Sequence, residues 1–487
     1  MSQQRDNNSA GRQVVALVDE TTPGPRFSRF RKVLLFGVAG LIVVALCVGL
    51  AVLHSRAEKR RAWAEIQKRL EAIRAAGEPV TADDLAKLYP DPPPERDAAL
   101  LLAPAVAALG KLNSTIELPF FGNGELPPRT QAFSEQMRTN MEAILNDNQT
   151  ALDAVPWDKM TNAWFGSSFT LGFTNMENPQ LYGVNRLTRL LALKAIVEAD
   201  SGDGKKAMES IQRALALSGT LRNDTRLHLL TSRTGEKRVC EAVERVINRA
   251  EIPADALAAL EQMLADDHTD GLREAFLSLR CLNIFSMNAV RVAPDSSFYY
   301  APPSEGKLET AVKSEFYGTA LRLSGKIYAD TDFSEMLDVR SAQIVALKSP
   351  PKERFAEFTR LNIKFADEGR PTFAAGVFGA ALGLSKQVRS DAEVLATLQV
   401  TRVALEVERW RLAHGGRAPD SLAELVPDFA PSIPLDPFDN NPLRYKKLAR
   451  GFLVYSIGAD FTDDGGKEKT GGVADSDHYD ITFRVER

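Results

Sequence analysis

From Val33 to Leu53 the chain runs through 21 residues, VLLFGVAGLIVVALCVGLAVL, without a charged side chain. Inside a water-soluble fold, a helix of that text would need apolar partners all round. In a bilayer its backbone hydrogen bonds are satisfied internally and its side chains face lipid. At about 1.5 Å per residue it also matches a hydrocarbon core about 30 Å thick. One transmembrane helix over residues 33–54 is expected, with the lipid bilayer as its partner. A cleaved signal peptide is the rival reading, but its apolar core is usually about 7–15 residues and ends at a small-residue cleavage site. Here the run passes through His54 into a basic helix with no Ala-x-Ala site at its end.

Arg26, Arg29, Arg31 and Lys32 precede the span, and Arg56, Lys59, Arg60 and Arg61 follow it, so the positive-inside count nearly balances. That rule governs short loops better than long translocated domains. The short N-terminal tail is therefore expected inside, with the long remainder across the membrane.

Residues 1–32 are polar, carry Thr22-Pro23-Gly24-Pro25, and read as a mobile tail. The full chain of 487 residues has room for two or three domains at about 150 residues each. Its 60 basic and 64 acidic side chains give a formal charge of -4, which lacks the basic field of a dedicated nucleic-acid binder, so no nucleic-acid partner is expected. Residues 55–385 read as an α-helical, solenoid-like region. Trp63, Ile66, Leu70 and Ile73 share a face, and Leu187, Leu190, Leu191 and Ala195 form a stripe answered, after the turn Ser201-Gly202-Asp203-Gly204, by Met208, Ile211 and Leu215. This hairpin of roughly 34 residues resembles the helix-turn-helix of a tetratricopeptide repeat. A second hairpin of the same style has Val239, Val243, Val246 and Ile247 before Pro253, then Leu257, Leu260 and Leu264. Trp157, Trp164, Phe165, Phe169, Phe173 and Tyr182 read first as packed anchors and second as the lining of a groove. Phe373–Leu384, FAAGVFGAALGL, is too short to span a bilayer and reads as a buried helix. Cys47, Cys240 and Cys281 read as small buried apolar residues.

Residues 386–487 read as a small α+β domain. A long helix through Asp391–Ala413 stops at Gly415-Gly416, and Ser421-Leu422-Ala423-Glu424 has capping-box spacing. The period then changes to two: Phe452, Val454 and Ser456 alternate with Leu453, Tyr455 and Ile457, and Ile481, Phe483 and Val485 line one side of a last strand. Between Gly458 and Asp480 lie seven carboxylates, Asp460, Asp463, Asp464, Glu468, Asp475, Asp477 and Asp480, with five glycines. Ca²⁺ takes about 6–8 hard oxygen ligands of this kind. A solvated acidic loop is the alternative.

His414-Gly415-Gly416-Arg417-Ala418-Pro419, Pro434-Leu435-Asp436-Pro437-Phe438, Arg444-Tyr445, Tyr455-Ser456-Ile457-Gly458-Ala459-Asp460, Gly465-Gly466 and Asp480-Ile481 occur in that order after the long helix. This ordered set resembles the globular domain of type II secretion major pseudopilins. The resemblance covers residues 386–487 and implies a structural calcium ion held by a loop that opens at Asp460 and closes at Asp480. Asp463, Asp464 and Asp477 are the further candidate ligands. It implies a secretion-associated, inner-membrane protein with the C-terminal region in the periplasm, since cytosolic calcium is too low for a weak structural site. Departures limit what carries over. Neither Gly37 nor Gly40 is followed at the fifth position by the glutamate of a prepilin-peptidase site, those positions being Ile42 and Ala45, and a long helical region separates the span from the domain. The implication extends to fold and ion loop, not to processing or pilus assembly.

The sequence has no Gly-x-Ser-x-Gly elbow, phosphate-binding loop, His-Glu-x-x-His helix, Cys-x-x-Cys pair or dinucleotide fingerprint. Its five histidines are scattered, and Asp267-His268 with Asp270, or His478 with Asp477 and Asp480, lack a diagnostic spacing. The preferred reading is a non-enzymatic, membrane-tethered interaction or scaffold protein with an unidentified protein partner. The alternative is a metal-assisted hydrolase of the cell envelope.

Overall fold

The computed structural model describes residues 25–110, 118–121, 124–171, 179–221, 224–265, 271–292, 330, 333–367, 381–468 and 479–487. The chain divides into two units, Met1–Glu65 and Ile66–Arg487. In the first, helix α1 (Pro25–Ala75) begins inside the segment expected to be tail. Proline suits a first helical position because its missing N–H would be unpaired there anyway, and nothing from Arg26 onward breaks the helix. Every side chain from Leu34 to Leu53 is exposed. This stretch is long and apolar enough to cross a membrane.

The second unit is mainly helical. It begins with the last turns of α1, where Ile66 and Leu70 are buried. Helix α2 (Ala82–Leu88) is opened by a capping box in which Thr81 Oγ1 accepts from Asp84 N and Asp84 accepts from the Thr81 backbone N–H. Helix α3 (Ala98–Ala107) is capped by Asp97 and carries Pro104 within it. Helices α4 (Glu135–Asp147), α5 (Gln149–Asp153) and α6 (Trp157–Met160) follow. The expected hairpins are α7 (Pro179–Asp200) with α8 (Gly204–Gly219), and α9 (Arg226–Arg249) with α10 (Ala254–Ala265). Then come α11 (Gly271–Val292), α12 (333–346), α13 (Pro351–Asp367) and α14 (Ala381–Ala413). Residues 373–380 of the apolar stretch and Phe173 lie outside the described residues, as does 293–329.

Helices α7, α8 and α9 pack mutually, and Gly204 is where the first hairpin presses on the second. A Cβ on Gly204 would stand 2.1 Å from the carbonyl oxygen of Glu251, a backbone atom that cannot swing away. Gly204→Ala should therefore cost about 1–3 kcal/mol, as overpacking does, read as a lower urea midpoint of the full chain in detergent with unchanged slope.

One hydrophobic core runs from Ala98 and Leu102 of α3, through α7–α10, to Val400, Val403 and Val407 of α14 and Phe452, Val454, Phe483 and Val485 of the sheet. Residues 386–487 share this core. The sheet is antiparallel in the order β1 (Arg444–Lys447), β2 (Phe452–Ser456), β3 (Ile481–Val485), with Tyr445 opposite Val454 and Val454 opposite Phe483. All five residues of β2 are buried. Phe452 and Val454 face the shared core, while a Cβ on Gly466 would meet the side chains of Leu453 and Tyr455, so the acidic loop covers the second face.

Strand β3 is paired along its outer edge by side chains of α9. Glu244 Oε1 accepts from Arg484 N at 2.8 Å, Asn248 Nδ2 donates to Arg484 O at 2.8 Å, and Asn248 Oδ1 accepts from Glu486 N at 2.9 Å. Two side chains one helical turn apart thus stand in for a neighbouring strand.

Candidate functional site

The acidic loop starts where β2 ends. Asp436 is fully buried beneath it and holds the start in place: its carboxylate accepts from Ser456 Oγ at 2.9 Å, Ile457 N at 2.9 Å and Phe438 N at 3.0 Å. Arg444 Nη1 donates to Asp436 at 2.6 Å, pairs with Asp439, and approaches Asp463 to 3.7 Å. One guanidinium thus faces three carboxylates at the loop's foot. Burial works against the Arg444 charge, yet these acids together raise its pKa above the usual arginine value.

Beyond Asp436 the backbone turns sharply. Gly458, Gly465 and Gly466 all have positive φ, and so does Phe461 at 61°. The first three meet this requirement without steric cost. Phe461 is held by its ring, whose centroid is 5.9 Å from that of Phe438 and 5.8 Å from that of Phe355. Phe461 is thereby tied into a small apolar cluster.

Among the expected ligands, Asp463 and Asp464 are brought near Asp480. The Asp480 carboxylate, 2 % exposed, accepts backbone N–H bonds from Gly466 at 2.5 Å and Asp464 at 3.3 Å. Burial, with help from Asp463 and Asp464 nearby, pushes its pKa up despite those bonds. Asp464 Oδ2 is buried and has no hydrogen-bond partner among the described residues. Asp463 and Asp460 instead cap their own turns, accepting from Gly465 N at 2.9 Å and Thr462 N at 3.0 Å. Burial, then Asp463, pushes the Tyr455 hydroxyl up to about 12. Asp475, Asp477 and His478 lie outside the described residues, and among the described ones no three His, Cys, Asp or Glu converge as a metal group. The donors present are all oxygen, and the orphaned Asp464 oxygen beside a buried, charge-crowded Asp480 fits a hard cation. Asp464 and Asp480 would hold it, with further donors to come from other loop groups.

Glu468 belongs to a different arrangement. It accepts from Arg129 Nη2 at 2.9 Å, and Arg129 also reaches Glu244 at 3.5 Å and Glu486 at 3.7 Å. These four side chains, with Glu241 and Arg245, line a cleft of about 400 Å³. Burial pushes Glu244 up to about 7, against the pull of Arg129. Sequence reasoning missed this network because its members come from three distant segments.

Two other arrangements bear on chemistry. His228, buried, meets Asp224 Oδ1 through Nδ1 at 2.8 Å, and Ser167 Oγ donates to Asp224 Oδ2 at 2.7 Å while lying 3.4 Å from the same Nδ1. A nucleophile relay needs serine and carboxylate on opposite ring nitrogens; here the trio fastens residue 167 to the start of α9. Of the aromatics, Phe165 and Phe169 are core residues, Tyr182 is exposed, and Trp157 lies under Arg213 at 5.1 Å in a shallow groove with Met160 and Met263. Cys240 and Cys281 are buried, and burial pushes both thiols up to about 12, which leaves them unreactive at neutral pH.

No protein-family model matches the chain, and neither does any curated protein or solved structure with which it was compared.

Proposed function

We propose that the chain is a single-pass, membrane-anchored interaction protein, associated with secretion as its pseudopilin resemblance implies, whose C-terminal loop is completed by a structural Ca²⁺ in an extracytoplasmic space such as the periplasm. Anchorage rests on the exposed apolar stretch Leu34–Leu53 of α1. The helical body, with its tetratricopeptide-like hairpins, offers a protein partner a firm surface rather than a reaction centre. The observation that carries the ion is the buried Asp464 Oδ2, without a hydrogen-bond partner among the described residues, on a residue whose backbone N–H donates to the Asp480 carboxylate. Two carboxylates sharing that space repel one another, and a divalent cation converts the repulsion into a crosslink between the start and end of the loop.

The test is thermal melting of the full chain in detergent, in excess EDTA and in millimolar CaCl₂. Calcium should raise the midpoint by several degrees, since a ligand at about 100 times its dissociation constant stabilises by about 2.7 kcal/mol. Asp464→Asn with Asp480→Asn should abolish the rise. A folded wild-type protein with no calcium-dependent shift would overturn the ion and remove its support for the extracytoplasmic placement.

A further inference from the structure

The apolar stretch of α1 is followed at once by basic side chains, and helix geometry gives them a direction. Arg56, Lys59, Arg60 and Arg61 are all exposed, and they lie about 4–12 Å along the axis beyond Leu53. Arg56, Lys59 and Arg60 fall within an arc of about 100°, with Arg61 on its flank. In an α-helix each Cα–Cβ bond tilts toward the N-terminus, which for these four is the direction of the apolar stretch. Their long side chains therefore reach back over the layer, about 5–8 Å thick, that separates hydrocarbon from bulk water. The same tilt carries Lys32, also exposed but on the other side of the stretch, away from it. The acid among residues 54–61, Glu58, lies 3.2 Å from His54 Nε2 one turn earlier.

We infer that Arg56, Lys59, Arg60 and Arg61 form a collar that binds the phosphates of anionic lipid headgroups in the leaflet on the C-terminal side of the span. Guanidinium groups match phosphate oxygens in pairs, and a lysine ammonium adds a mobile point charge. A negatively charged leaflet attracts such a segment only within a Debye length, about 8 Å at physiological salt, so the backward lean is what brings the charges into range. The inference rests on the membrane anchor proposed above and adds a lipid class and a leaflet to it.

The test uses the full chain in nanodiscs of phosphatidylcholine and phosphatidylglycerol at 3:1, with trace spin-labelled forms of each lipid. In 0.1 M salt the motionally restricted fraction should favour phosphatidylglycerol by about threefold or more, falling toward unity at 0.5 M salt. The variant R56Q/K59Q/R60Q/R61Q should lose most of that preference, whereas R26Q/R29Q/R31Q/K32Q should retain it. Preference unchanged in the first variant, or lost in the second, would overturn the collar while leaving the anchor intact. Wild-type chain released from membranes by alkaline carbonate would overturn the anchor and the collar together.

Discussion

Arg233→Ala should destabilise the full chain by about 3–5 kcal/mol, read from urea unfolding in detergent. Arg233 is 5 % exposed on α9, and its Nη1 donates to Glu236 at 2.8 Å while its Nε donates to Asp391 of α14 at 2.7 Å. Ser232 Oγ also donates to Glu236, at 3.1 Å. Removing the guanidinium strands two buried carboxylates, and the cost is that of an uncompensated buried charge rather than of the bonds alone. Burial already pushes Asp391 above the usual carboxylate range, with Arg233 opposing the rise. The triple variant R233M/E236Q/D391L, which removes every charge while keeping volume, should recover most of the loss. Arg233→Ala costing under about 1 kcal/mol would mean the network is solvated, contrary to its burial.

Stability should be higher near pH 5 than near pH 8. Burial pushes both Glu244 and Glu406 up to about 7 from the usual 4.5, and it also raises Asp391 and Asp480. A group whose folded-state pKa is raised binds its proton more tightly in the folded state. Its contribution is fully present below the unfolded pKa and is lost as pH rises through the folded one, so the window runs from about 4.5 to 7. Shifts of this size correspond to roughly 3 kcal/mol each at the upper limit, less for Glu244, whose side chain retains 22 % exposure. Glu406 is the cleaner case. It is fully buried on α14, Arg402 Nε donates to its Oε1 at 3.1 Å, and its Oε2 has no hydrogen-bond partner among the described residues. Glu406→Gln should flatten the pH profile and raise the urea midpoint at pH 8 above wild type. The carboxylates held below their usual range, such as Asp84 and Asp439, act in the opposite sense but below about pH 4, outside this window. A wild-type midpoint that rises from pH 5 to pH 8 would contradict the burial of these groups.

The features legible in the sequence were those that a short window of residues determines. The apolar stretch, the hairpins α7–α8 and α9–α10, the cap at Ser421, and strands β2 and β3 all announce themselves by periodicity or by a side chain three positions from its partner. Strand β1 does not, because Arg444-Tyr445-Lys446-Lys447 is an edge strand with one apolar face position and so no alternation to detect. Within the acidic loop, the neighbours Asp464 and Asp480 needed a chain reversal that the glycines permit but do not specify. Asp436 was visible only as part of a motif. Its work beneath the loop depends on Ser456, Ile457 and Arg444, which only the folded sheet brings together. Glu244 and Asn248, polar and one turn apart, have the spacing of any solvated helix face.

That last pair decides how the sheet can grow. An unpaired β-strand edge is a template on which a further strand, from this chain or another copy, can be laid down. With Arg484 and Glu486 already engaged by Glu244 and Asn248, a strand arriving at β3 would have to displace three hydrogen bonds before it formed one. At the opposite margin, β1 presents Lys446, which donates to Gly465 O at 2.6 Å, and Lys447, which pairs with Asp420 at 2.5 Å, and lysines along an edge are among the features that disfavour strand addition. A strand approaching this sheet therefore meets engaged backbone groups at β3 and two lysine side chains at β1.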